Sequence, residues 1–122
     1  MQVETQGVHS SIIDFTLPRL ERNGDPFYFD LETDECYFEG EGDMQFDCYR
    51  SMRKAVKKDW SRHFPRTNLY WIQYLIDKVL NEKCYAEGDS DEIDAELVGF
   101  YKRGLRYRSM KGLLKDKFFG FK

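Results

Sequence analysis

Between residues 69 and 80 the apolar side chains Leu69, Ile72, Leu75, Ile76, Val79 and Leu80 recur at intervals of three and four. That period puts them on one face of an α-helix, which must bury that face against another element. The same spacing returns at Phe46, Tyr49, Met52 and Val56, predicting a helix over residues 44–58. Arg53, Lys54, Lys57 and Lys58 fill its C-terminal half, where the helix dipole favours cations. A third helix is expected from Ser90 or Asp91, with Ile93, Leu97, Phe100 and Tyr107 on one face. Ser109 caps a short last helix carrying Leu113 and Leu114, ahead of the Phe118-Phe119 tail. Asp43 caps the first helix and Thr67 or Asn68 the second. The fold class is therefore mainly α, with about four helices.

In front of the helices the pattern changes. Residues 8–13 read as a short strand that runs into Asp14-Phe15-Thr16. Asn23-Gly24-Asp25-Pro26 is a turn signal, flanked by extended pieces at residues 16–20 and 27–31. Gly40-Glu41-Gly42-Asp43 reads as a flexible loop. The 122 residues suit a single domain, and twenty aromatic side chains supply much of its core. Three cysteines (Cys36, Cys48 and Cys84) have no CxxC spacing, so a disulfide framework is not expected and a reducing compartment is. No signal peptide or membrane span is expected.

Charge is segregated along the chain. Residues 1–49 carry twelve acids and two bases, whereas residues 50–122 carry ten acids and seventeen bases. From Asp30 to Asp47 there are eight acids and no base. Such a field attracts a cation or a basic peptide. The alternative is a solvated acidic loop balanced by the basic helices after it.

Few residues are arranged for chemistry. His9 and His63 are isolated and make no zinc motif. No nucleophile elbow is present, and Gly40-x-Gly42 lacks the third glycine of a phosphate loop. Asp14 is different, because an aspartate that closes an apolar strand ahead of an aromatic is suited to magnesium.

The string Ser11-Ile12-Ile13-Asp14-Phe15-Thr16-Leu17, followed by Arg19-Leu20-Glu21-Arg22 and Gly24, resembles the haspin family of atypical serine/threonine kinases. The likeness continues from Gly40 through Arg50, and resumes at Trp60, Pro65, Asn68-Leu69-Tyr70-Trp71 and Tyr74-Leu75-Ile76-Asp77-Lys78. It is weakest over residues 89–110. The resemblance implies the C-terminal-lobe portion of a protein-kinase-like fold. Residues 1–42 would be the metal-binding and activation-segment region, and residues 43–122 the helical lobe.

By the same resemblance, Asp14 is the magnesium ligand and Ile13 lines the floor of the ATP pocket. Asp47 and Tyr49 form the Asp-x-aromatic of the central lower-lobe helix, where the aspartate anchors the catalytic loop. Without that loop, the Asp47 carboxylate is expected to be buried and short of donors. Asp34, Glu41 and Asp43 stand where the family grips its substrate, the basic tail of histone H-three, in which it phosphorylates a threonine. Cys36 stands where characterised members carry an aspartate. The location expected is nuclear and chromosome-associated, with the cytoplasm as the alternative, and no direct nucleic-acid or membrane contact is expected. The glycine-rich loop, strand lysine and H-R-D-type loop are expected upstream of Ser11, so the chain reads as about a third of a kinase, inactive alone. The rival reading is a non-catalytic acidic module that binds basic peptides or a protein partner.

Overall fold

The computed structural model describes residues 7, 11, 17–82, 90–104 and 106–120. The strand expected over residues 8–13 lies outside the described residues. The first element is a hairpin of β1 (Leu20–Arg22) and β2 (Asp25–Phe27), paired antiparallel with Leu20 opposite Phe27 and Arg22 opposite Asp25. Asn23 and Gly24 form the two-residue turn at φ 55° and 88°, the pair of positive values that a type I′ turn requires. The turn is therefore tighter than the expected four residues, and Pro26 belongs to β2. It sits opposite Glu21, one pair out from the closing pair, where its missing N–H faces away from the partner strand.

After β2 come a 3-10 turn (Leu31–Thr33) and a single-turn helix α1 (Cys36–Glu39), neither of them expected from the sequence, while residues 40–43 are a loop as expected. They bury Leu31 and Phe38 against Val56 and Trp60, the first of two core clusters. Helix α2 spans Met44–Val56 and starts as expected, with the Asp43 carboxylate accepting the Gln45 N–H at 2.8 Å. It stops two residues short of the expected end, because Lys57 and Lys58 take left-handed conformations at φ 58° and 64°.

Helix α3 (Thr67–Glu82) packs between α2 and α4 (Ser90–Gly104). The second cluster joins Leu69 and Ile76 of α3 to Phe100 of α4 and Leu113 of α5 (Met110–Leu113). Two neighbours flank α3, so its buried stripe turns towards Gln73, and Leu75, expected on the apolar face, is 56% exposed. Ser109 caps α5 as expected, accepting the Gly112 N–H, while Leu114 is its exposed C-cap. Tyr107 reaches the second cluster from the turn after α4 and not from the helix itself.

A clasp closes the chain. Arg103 donates to both Asp116 oxygens at 2.7 Å, Tyr107 Oη donates to one of them at 2.6 Å, and the Phe118 N–H donates to the other at 2.9 Å. This seats a final 3-10 turn (Lys117–Phe119), where Phe118 stacks on Phe100 at 4.6 Å between ring centres.

Candidate functional site

The acidic run from Asp30 to Asp47 is folded onto α2 by cations from later in the chain. Arg53 donates from Nε and Nη2 to Glu32 at 2.6–3.0 Å and reaches Glu35 at 3.1 Å. Its guanidinium also lies 4.1 Å from the centre of the Phe38 ring. Trp60 Nε1 donates to Glu32 at 3.2 Å. The Arg53 bonds, aided by Trp60 and opposed by burial, hold the Glu32 carboxyl below the usual carboxylate range.

One turn earlier, Arg50 donates from Nη1 to the carbonyls of Phe38 (2.7 Å) and Gly40 (2.9 Å), and from Nη2 to Asp47 (2.8 Å). A Cβ at Gly40 would fall 2.2 Å from the Phe46 ring, so a larger residue here would displace that ring. Lys78 donates to Asp43 at 2.8 Å and also pairs with Glu82. The Gln45 N–H first, and then Lys78, lower the Asp43 carboxyl.

The eight acids therefore fall into two groups. Glu32, Glu35, Asp43 and Asp47 are in ion pairs, whereas Asp30, Asp34, Glu39 and Glu41 are exposed and have none among the described residues. Asp34 and Glu41, two of the expected peptide-gripping acids, flank α1 on either side. Asp43, the third, is already engaged by Lys78, and its side chain is only 34% exposed. Asp34 accepts the Cys36 N–H at 3.0 Å, and its contact with the Cys36 side chain and N–H lowers the carboxyl while raising the thiol. Burial pushes Cys48 up to about 11 as its thiol donates to the Tyr70 carbonyl.

The expectation for Asp47 is corrected by this geometry. Its carboxylate is exposed at the start of α2 and paired with Arg50, so it is neither buried nor short of a donor. Tyr49 is half-buried, packed between Tyr37 at 5.3 Å and Trp71 at 5.1 Å between ring centres. Ile13 and Asp14 lie outside the described residues, and no group of three potential metal ligands occurs among the described ones. Sequence reasoning missed Arg50 and Arg53 as fasteners of the acidic segment. Their spacing of three on one helix face was the available signal, and it reads equally well as dipole compensation.

A family model described as "Haspin like kinase domain" matches residues 4–103. The chain belongs to the haspin-like kinase family. It is 39% identical over 117 residues to the mouse serine/threonine-protein kinase haspin, covering 92% of the chain and 15% of the mouse protein. Against the Arabidopsis thaliana haspin homolog it is 37% identical over 118 residues, covering 96% of the chain and 19% of that protein. The Drosophila melanogaster homolog is 43% identical over 81 residues, 66% of the chain and 14% of the fly protein. The haspin-like chain thus spans less than a fifth of the length of these curated relatives. The family match contains the acidic segment, α2, α3 and all but the last residue of α4. The clasp joins Arg103, where that match ends, to Asp116 beyond it.

Proposed function

We propose that these residues are the substrate-gripping, C-terminal part of a haspin-type kinase domain. With the full domain present, it phosphorylates a threonine of the histone H-three tail from ATP and magnesium. The family match over residues 4–103 carries this reading. In it Ile13 lines the nucleotide pocket and Asp14 holds the magnesium ion, which neutralises phosphate charge when bound. Asp34, Glu41 and Asp43 bind the Arg and Lys side chains of the tail, with Asp34 and Glu41 the readier of the three because Asp43 must first release Lys78. Asp47 and Tyr49 serve structure. A kinase acting on a histone tail works in the nucleus, on chromosomes.

A chimera tests this directly. The stretch of mouse haspin that matches over 117 residues is replaced by the matching residues of this chain. The chimera is expected to transfer phosphate from ATP to a histone H-three tail peptide, and Asp14→Asn to abolish the transfer. A folded chimera no more active than its Asp14→Asn form would overturn the proposal in favour of a non-catalytic acidic module.

A further inference from the structure

The opposite end of α2 carries the opposite charge. Arg50, Arg53, Lys54, Lys57 and Lys58, spaced at three, one, three and one, line a shallow hollow of about 550 Å³. Arg50 and Arg53 are committed to the acidic segment. Lys54, Lys57 and Lys58 are exposed. Among the described residues Lys54 and Lys57 have no ion pair, and Lys58 has only a distant one, 4.0 Å from Glu32. Lys57 and Lys58 also occupy left-handed backbone in succession, a region that favours glycine, and both line the hollow.

From this we infer that Lys54, Lys57 and Lys58 form a contact surface for the phosphate backbone of duplex DNA. The composition of the hollow selects this partner over an acidic protein. A protein interface needs apolar or aromatic anchors at its centre and is depleted in lysine, whereas the lining here is five cations with no apolar side chain. Duplex DNA presents a charge every ~1.7 Å and needs only point cations in a shallow, open site. This departs from the sequence-based expectation of no direct nucleic-acid contact. The inference builds on the proposed histone-tail function, since a chain that grips such a tail operates beside nucleosomal DNA. Glu32 and Glu35 approach this same end of α2, where Arg53 pairs with both, whereas Asp34 and Glu41, the readier tail-gripping acids, flank α1.

Fluorescence anisotropy of a labelled duplex of about 20 base pairs, titrated with the 122-residue chain and no tail peptide, tests the contact. Three phosphate contacts give a slope of about −2.7 for log K against log salt between ~50 and ~200 mM. The Lys54→Gln/Lys57→Gln/Lys58→Gln variant, its helicity checked by circular dichroism, is expected to bind at least tenfold more weakly and to lose most of that slope. Equal DNA binding by parent and variant would overturn the inference. So would binding of an oligoglutamate peptide in place of DNA. A tail-peptide titration on the same samples reports separately on the acidic segment, so the two readings fail independently.

Discussion

Arg53 holds Glu32 through two nitrogens, at 2.6–3.0 Å, while its guanidinium covers the Phe38 ring. One α2 side chain thereby fixes both the acidic segment and the apolar anchor beneath it. Both partners are about one-fifth exposed, so water and salt only partly screen the pair. Arg53→Ala is expected to speed amide exchange and limited proteolysis across residues 31–39 more than elsewhere. Arg53→Lys should rescue little, because an ammonium cannot make the paired bonds or stack as a guanidinium does. Unchanged exchange in that stretch for Arg53→Ala would contradict this role.

Asp116 is 4% exposed, and its bonds from Arg103, with Tyr107 and the Phe118 N–H assisting, hold the carboxyl well below its ordinary value. A carboxyl depressed in the folded state stabilises fully above its unfolded pKa of about 3.9, and that stability is lost as pH falls through the folded value. The parent melting temperature should therefore drop on acidification below about pH 4. Asp116→Asn should melt lower than the parent at pH 7 and lose less on acidification. Glu32 and Asp43, also lowered, leave a residual acid limb of the same sign.

Leu113 is 1% exposed at the junction of α3, α4 and α5, whereas Leu75 is 56% exposed. Leu113→Ala should cost about 2–5 kcal/mol in urea unfolding. Leu75→Ala should stay within about 0.5 kcal/mol of the parent. Equal costs would mean that α3 buries the face read from its periodicity rather than the one described here.

The 122-residue chain by itself should transfer no phosphate, since the phosphate lysine and the catalytic-loop base of a kinase are not among its residues. Incubation with magnesium, labelled ATP and a histone-tail peptide checks this. Incorporation above an Asp14→Asn control would contradict it.

The longer helices were legible because α2, α3 and α4 each repeat apolar residues every three or four positions, and Asp43 and Ser109 are caps in the right places. Asn23-Gly24 announced the hairpin through the backbone that only such a pair accepts readily. Helix α1 was not legible, since Cys36–Glu39 is one turn and too short to show a period. The sorting of the acids was hidden for a different reason. Glu32 finds Arg53 twenty-one residues later, and Asp43 finds Lys78 thirty-five residues later, so only the packed chain reveals which carboxylates are committed. Asp116 reads locally only as a cap for the last turn, through the Phe118 N–H, because its ion-pair partner Arg103 lies thirteen residues earlier in α4. The haspin likeness was readable from the string around Asp14 and from residues 40–50, and the family match bears it out.

The central claim is that the exposed acids grip a basic tail, and calorimetric or NMR titration of the chain with a histone H-three tail peptide tests it most directly. Exposed ion pairs contribute about 0.2–1 kcal/mol each, so binding should be weak, roughly millimolar to high micromolar. It should fade as salt shortens the Debye length from ~10 Å at 0.1 M to ~3 Å at 1 M. The Asp34→Asn/Glu41→Gln/Asp43→Asn variant should lose most of the affinity while keeping its helices, and Asp34→Asn/Glu41→Gln should lose nearly as much because Lys78 already occupies Asp43. Tail binding that survives the triple variant, or that ignores salt, would make these carboxylates a solvated face and contradict the account.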